Sequence, residues 1–113
     1  MMRISSWIAL AVLWSAPATA SGFYEGRTIS FVVGLAPGGG YDVYARLLAR
    51  YFPKYVPGNP KVIVENRLGA ASGTAATYVY RIAPKDGTVL GVTLEILPLY
   101  QRVFADRVAF DMS

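Results

Sequence analysis

The sequence contains no cysteine and no histidine. Without cysteine the chain forms no disulfide bonds, and without either residue it lacks the thiolate and imidazole ligands that bind most transition metals. Cys–His and Ser–His–Asp catalytic systems are excluded for the same reason. An enzyme built from these residues would depend on carboxylates, lysine, tyrosine or a cofactor. We expect no enzymatic activity, no metal site and no cofactor.

The chain also lacks a run of basic residues. Its 113 residues include 11 Lys and Arg against seven Asp and Glu, so the formal net charge is +4 at pH 7. Arg46 and Arg50 are four residues apart, and the other cationic residues are scattered. Because nucleic-acid-binding domains concentrate such residues in patches, we expect no nucleic-acid partner. A modest positive charge is compatible with an anionic ligand.

No apolar run approaches the length of about 20 residues that crosses a bilayer. Residues 7–14 form a shorter run, with Arg3 before it and Ala18-Thr19-Ala20 after it. A positive charge, a short apolar run and small residues at a cleavage site, in that order, are typical of a secretory signal peptide. We therefore expect residues 1–20 to be removed and the protein to be periplasmic. A buried N-terminal helix is the alternative.

Residues 21–113 alternate strand-like and helix-like segments. Strands are predicted at residues 28–35, 62–65 and 88–93, and helices at 41–52, 74–82 and 96–104, the last one starting at Pro98. The first strand is apolar nearly throughout, which is typical of a strand covered on both faces in a parallel sheet. The alternating order favours an α/β fold with a parallel sheet built from strand–loop–helix units.

The first predicted helix is amphipathic. Its apolar stripe, which we expect to face the core, consists of Val43, Tyr44, Leu47, Leu48, Tyr51 and Phe52. Asp42 is predicted to be the N-cap, accepting hydrogen bonds from the free amides of the first turn. Pro53 ends the helix because it supplies no amide hydrogen. In the second helix, Ala75, Ala76, Val79 and Ile82 are the predicted buried residues.

Two loops of small residues precede the first two helices. Residues 36–40 read Ala-Pro-Gly-Gly-Gly, and residues 69–74 read Gly-Ala-Ala-Ser-Gly-Thr. Glycine lets the backbone approach a ligand closely, and helix-start amides attract anions. Both loops should lie at the carboxyl ends of adjacent strands, where ligands bind in open α/β sheets. We therefore predict that the two loops hold one carboxylate between them. A tight strand-to-helix turn is the alternative for the first loop.

Nucleotide-binding motifs are incomplete in the first loop. Residues 38–43 begin the dinucleotide pattern Gly-x-Gly-x-x-Gly but end in Val43, and a P-loop would require lysine and Ser/Thr after the last glycine. A nucleotide- or phosphate-binding α/β enzyme fragment remains the alternative function. A third possibility is an exported interaction protein, which exposure of the tyrosine-rich stripe of the first helix would favour.

Three segments in order resemble the Bug, or TctC-type, solute-binding proteins, which are the extracytoplasmic receptors of tripartite tricarboxylate transporters. ISFVVGLAPGGGYDVYARLLARYF resembles the first strand–loop–helix of that family, and VIVENRLGAASGTAATYVY resembles its second segment. APKDGTVLG resembles the Pro-x-Asp-Gly turn into the third strand. The likeness extends over about residues 23–111.

The resemblance implies a two-domain Venus-flytrap fold, of which residues 21–113 would be the first part of domain 1, in a fragment without the second domain. It implies a receptor, expected to be a monomer, that captures a small carboxylate ligand for membrane transporter subunits. The implied ligand-binding residues, acting through backbone groups and ordered water, are Pro37, Gly38, Gly39, Asp42, Gly69, Ala70, Ala71, Ser72 and Gly73. Leu68 stands where the family usually has proline, and Ala71 where glycine is commoner.

Overall fold

The computed structural model describes residues 22–112, so the predicted signal peptide lies outside the described residues. The strands are β1 (Thr28–Val33), β2 (Lys61–Asn66) and β3 (Val89–Val92), and the helices are α1 (Gly40–Tyr51), α2 (Gly73–Thr77) and α3 (Leu97–Val103). Three 3₁₀ turns are Phe52–Tyr55, Ala70–Ser72 and Ala105–Arg107, and a π-helical turn, Tyr78–Ile82, continues α2. The predicted alternation of strands and helices is confirmed, with boundaries shifted by a few residues.

The three strands form one parallel sheet in the order β2-β1-β3. Thr28 pairs with Lys61 on one side of β1, and Ser30 pairs with Val89 on the other. Val32 and Val33 are both fully buried although successive residues of a strand point to opposite faces. The central strand is therefore covered on both faces, as predicted, and the α/β class is confirmed.

The main core lies between β1 and α1. Ile29, Phe31 and Val33 project from β1 and pack with Ala45 of α1. The ring of Phe52 meets that of Phe31 edge to face, with centroids 5.6 Å apart. The small side chain of Ala45 leaves space for the larger strand residues beneath the helix. A second buried cluster joins Ala76, Leu97 and Phe110.

The predicted orientation of the α1 stripe is wrong. Val43, Tyr44, Leu47, Leu48 and Tyr51 are between 47% and 69% exposed, and Phe52 alone is partly buried against the core. Asp42 and Ala45 are the buried residues of α1. The helix turns this side to the sheet because Asp42 bonds to the first loop at Gly38 and to the end of β2 at Asn66. The stripe consequently faces away from the sheet.

The second helix changes its winding after Thr77. The amide of Ala83 donates to the carbonyl of Tyr78, a bond to the fifth residue back that characterises a π-helix. Ala75 and Ala76 are buried as predicted, but Ile82 is 71% exposed and that prediction is wrong. The wider turn changes the phase of the residues after Thr77 and carries Ile82 out of the core.

The expected Pro-x-Asp-Gly turn precedes β3, and α3 starts one residue before the predicted start at Pro98. Asp86 Oδ1 accepts hydrogen bonds from the backbone amide and the hydroxyl of Thr88, and Gly87 has a φ of +79°. Pro98 lies in the first turn of α3. Within residues 22–112, no helix has the length and apolar character needed to cross a membrane.

Candidate functional site

The first loop joins β1 to α1 and is exposed. Pro37, Gly38 and Gly39 are all solvent-accessible, and Gly38 has a φ of +85°, which favours glycine. Gly39 is the N-cap of α1, so the amides of Gly40 and Tyr41 have no acceptor within the helix. A side-chain carbon added to Gly38 or Gly40 would meet no atom within 4 Å. The backbone of this loop is therefore open to a ligand.

Asp42 holds the first loop from inside. Its side chain is 2% exposed, and it accepts hydrogen bonds from the Gly38 amide at 2.8 Å, Arg46 Nε at 2.9 Å and Asn66 Nδ2 at 2.8 Å. The predicted N-cap role is wrong, because Asp42 already lies within the first helical turn and reaches back to the amide before the cap. Hydrogen bonds from Arg46, the Gly38 amide and Asn66 hold the pKa of Asp42 well below its usual range, and the bond from Arg46 has the largest effect.

Asn66 connects the two halves of the site. Its amide nitrogen also donates to the carbonyl of Leu35 at 3.0 Å, and its oxygen accepts from Arg46 Nη2 at 3.1 Å. Arg67 contacts Glu65 at 3.4 Å. Residues 65–67 thus supply loop-fixing hydrogen bonds through Asn66 and a local ion pair between Glu65 and Arg67. The end of β2 is thereby attached to the loop that follows β1.

The second loop has an unusual backbone. Gly69 has a φ of +127°, Ala70 and Ala71 each have +48°, and Ser72 has +73°. A non-glycine residue in this region costs of the order of 1–3 kcal/mol and persists only where the surroundings enforce it, commonly at functional sites. Nothing in the residue types reveals this strain, because alanine and serine ordinarily avoid positive φ.

Ser72 anchors the second loop beneath its surface. The residue is fully buried; its hydroxyl donates to the Gly34 carbonyl at 3.4 Å and accepts from the Leu94 amide at 3.2 Å. A side-chain carbon at Gly34 would lie 2.6 Å from Ser72 Cβ, so this approach requires glycine. The Ser72 hydroxyl is therefore occupied by contacts to the segments following β1 and β3.

The structure thus divides the predicted site residues into two groups. Pro37, Gly38, Gly39, Gly69, Ala70 and Ala71 are exposed, whereas Asp42, Ser72 and Gly73 are buried. Both loops follow the carboxyl ends of neighbouring parallel strands, as predicted. The exposed backbone offers amide donors to a ligand, and the buried side chains fix the shape of the loops.

Two further residues contribute without having been predicted. Gly40 supplies an unpaired amide at the start of α1, and Glu95, after β3, approaches the first loop. Glu95 Oε2 accepts a hydrogen bond from the Tyr41 hydroxyl at 3.4 Å. The position of Glu95 just beyond the third strand, at the same edge of the sheet as the loops, is the signal that could have identified it.

The chemistry available at the loops is hydrogen-bond donation by backbone amides. Within residues 22–112, no group of three or more acidic residues is placed to hold a metal ion. Neither a scan against models of protein families nor a search of curated proteins found a match to this chain. A functional assignment therefore depends on the sequence motifs and on the geometry of the two loops.

Proposed function

We propose that the chain is an extracytoplasmic solute-binding receptor, or the first part of one, that captures a small carboxylated metabolite for a tripartite tricarboxylate-type transporter. The observation that carries this proposal is the pairing of two exposed small-residue loops on the adjacent strands β1 and β2. The side chains of buried Asp42 and half-buried Asn66 join the first loop to the end of β2, the strand that the second loop follows. The three sequence segments that resemble the Bug family support the same function.

The proposed ligand contact is made by backbone amides. The amides of Gly40 and Tyr41 begin a 12-residue helix and have no intrahelical acceptor, so they carry the partial positive charge of its N-terminus. Ala70 and Ala71 begin the short 3₁₀ turn of the second loop with positive φ angles, and their amides have no acceptor within that turn. One carboxylate between the loops would accept from both sets. The Asp42 charge is offset by Arg46, which reduces its repulsion of that anion.

We further propose that residues 21–113 form the first part of domain 1 of a two-domain Venus-flytrap fold. Parallel sheets are normally covered on both faces, whereas Leu90 of β3 is 42% exposed. Additional structure packed near β3 would bury this side chain. In this proposal the signal peptide directs a monomeric protein to the periplasm, where it meets membrane transporter subunits and binds no nucleic acid.

The decisive experiment compares two substitutions at Gly40. Gly40→Ala retains the amide hydrogen, whereas Gly40→Pro removes it at the first helical position, where proline is well tolerated. Gly39 has an extended backbone, which suits a residue before proline. Isothermal titration of the 113-residue chain with citrate, succinate and glutamate identifies a bound acid. We expect Gly40→Ala to bind that acid like the parent and Gly40→Pro to bind it about tenfold more weakly.

Other outcomes separate the alternatives. Equal affinity of the two Gly40 variants for the acid would contradict the contact with the Gly40 amide. Failure of the parent chain to bind any of the acids would contradict the proposal of a carboxylate receptor. Saturable binding of ATP or NAD would instead support the nucleotide- or phosphate-binding enzyme fragment. Circular dichroism of both variants serves as the folding control.

The exposed stripe of α1 favours a second candidate, an exported interaction protein. Tyr44, Leu47 and Leu48 are each more than half exposed on one helix face. Self-association through this face would appear in sedimentation velocity as a concentration-dependent species that Leu47→Lys abolishes. That result, together with no response to any acid, would favour the interaction protein over the receptor.

A further inference from the structure

A cavity lies between the second loop and the C-terminal part of the described chain. It has a volume of about 380 Å³ and is bounded by α2, its π-helical continuation and residues 107–110. Its apolar wall includes Ile82, Val108 and Phe110, and the rings of Tyr78 and Tyr100 also line it. Ligand sites of small molecules typically measure about 300–1,000 Å³, so this cavity suits a small ligand.

The charged residues that line the cavity are arginines only. Arg67 and Arg107 both contribute, and the lining includes no Asp or Glu. Arg107 has no carboxylate partner within residues 22–112. Its guanidinium lies 6.0 Å from the centre of the Phe104 ring. The cavity therefore presents two guanidinium groups beside an apolar wall, and only that of Arg67 is paired with a carboxylate, Glu65, which does not line the cavity.

Arg67 is held in place with most of its hydrogen-bonding capacity unused. A guanidinium has five N–H donors. Its side chain makes one long hydrogen bond, from Nη2 to Glu65 Oε2 at 3.4 Å, and the buried Nε has no acceptor among the described residues. The guanidinium carbon lies 3.7 Å from the centre of the Tyr78 ring. Stacking on this ring fixes the orientation of the group, and the Nη hydrogens that are not bonded to Glu65 remain available to an anion.

The far wall of the cavity is fixed to the rest of the fold. Arg81 Nε donates to the carbonyl of Ala109 at 2.5 Å, which attaches residues 107–110 to the π-helical turn. Phe110 is buried in the cluster with Ala76 and Leu97. These contacts hold the apolar wall opposite Arg67.

We propose that this cavity binds an aromatic monocarboxylate. The carboxylate pairs with the guanidinium groups of Arg67 and Arg107, and the ring packs against Phe110, Val108 and Ile82. An inorganic anion would leave the apolar wall in water, and an uncharged aromatic amide would offer the two guanidinium groups a carbonyl acceptor without negative charge. The cavity shares Ala70 and Gly73 with the second loop, but the proposed contacts with the two arginines and the apolar wall do not use the amides of the first loop.

The test is calorimetric titration of the 113-residue chain with benzoate, benzamide and sulfate. We expect saturable binding of benzoate, at least about tenfold tighter than that of benzamide or sulfate. Benzamide lacks the negative charge, and sulfate lacks the aromatic ring. Arg107→Gln should weaken benzoate binding about tenfold. Arg102→Gln is the matched control, because Arg102 is exposed on α3 and does not line the cavity. Arg102→Gln should bind benzoate like the parent.

The Gly40→Pro variant distinguishes the cavity from the loops. Benzoate binding should survive Gly40→Pro, even if that variant fails to bind the acid held by the loops. Loss of benzoate binding in Gly40→Pro, with unchanged binding in Arg107→Gln, would place the aromatic acid at the loops and overturn the proposal. Sulfate binding as tight as benzoate binding, or no benzoate binding, would overturn it as well.

Discussion

Asp42 directs its charge into the protein rather than toward a ligand. Its carboxylate is almost fully buried and is satisfied by three donors from the first loop, from α1 and from the end of β2. A buried carboxylate with three donors fixes the groups around it, because each donor would lose its acceptor if the carboxylate were removed. Asp42 is therefore a positioning residue for the first loop.

Asp42→Asn should lower the melting temperature by about 5 °C or more, since the amide replaces one acceptor oxygen with a donor facing Gly38 or Arg46. Asp106→Asn is the matched control, because Asp106 is exposed in the turn after α3. Thermal unfolding followed by circular dichroism should show little change for Asp106→Asn. Equal melting temperatures for both variants would contradict the role of Asp42.

Acid should destabilise the protein through the same carboxylate. The pKa of Asp42 is lowered by Arg46, by the Gly38 amide and by Asn66, and that of Asp86 is lowered chiefly by the Thr88 hydroxyl. A lowered folded-state pKa stabilises the protein fully above the unfolded pKa of about 4, and this contribution is lost as the pH falls toward the folded value. Urea midpoints at pH 6 and pH 3 should therefore decrease with acid. The decrease in the urea midpoint between pH 6 and pH 3 should be smaller in Asp42→Asn than in the parent. An equal decrease in both proteins would contradict the role of Asp42 in acid stability.

Two alanine-to-glycine substitutions, one in the strained second loop and one in α2, should have opposite effects on the stability of the protein. Ala71→Gly should stabilise the protein by about 0.5–1 kcal/mol, because glycine relieves a φ of +48° at a smaller cost in unfolded-chain entropy. Ala75→Gly, within buried α2, should destabilise it by about 1 kcal/mol or more. Chemical denaturation of both variants measures the difference. Destabilisation by Ala71→Gly would show that the positive φ carries no strain.

Among the elements, α1 turns the face with the small side chain of Ala45 to the sheet and the face with its large apolar side chains to solvent. Ala45 packs beneath the helix, while Leu48 is 54% exposed. Ala45→Leu should destabilise the fold by about 1–3 kcal/mol because the added carbons must fit a filled core. Leu48→Ala should change stability by less than about 0.5 kcal/mol. Denaturant midpoints check both values, and a large effect of Leu48→Ala would mean that the stripe is covered in solution.

Periodicity predicts which residues share a helix face, but not which face a neighbouring element covers. This is why the α1 helix was predicted correctly and its buried face was not: the Asp42–Asn66 contact, made across the sheet edge, decides the orientation. The same limit applies at Ile82, where a π-helical turn shifts the phase. By contrast, β1 was predicted well because a continuous apolar strand has few ways to be buried.

For the whole molecule, alternation of strands and helices was enough to predict a parallel α/β sheet, because short connections and crossover rules leave few other arrangements. The placement of both loops at one edge of the sheet followed from the same topology. The positive φ values of Ala70, Ala71 and Ser72 could not be predicted, since contacts of Ser72 with Gly34 and Leu94 enforce them across the fold. The arginine-lined cavity likewise depends on residues distant in sequence, from Arg67 to Arg107.

The strand order β2-β1-β3 also determines how the chain reaches its native state. Thr28 must find Lys61, and Ser30 must find Val89, so every pairing in the sheet closes a long loop and none forms within a hairpin. Loop-closure entropy opposes such contacts until both segments are present, and folding slows as the sequence separation of contacts increases. The sheet therefore stays incomplete during synthesis until residues 89–92 have left the ribosome. A chain that is exported unfolded would gain from this delay.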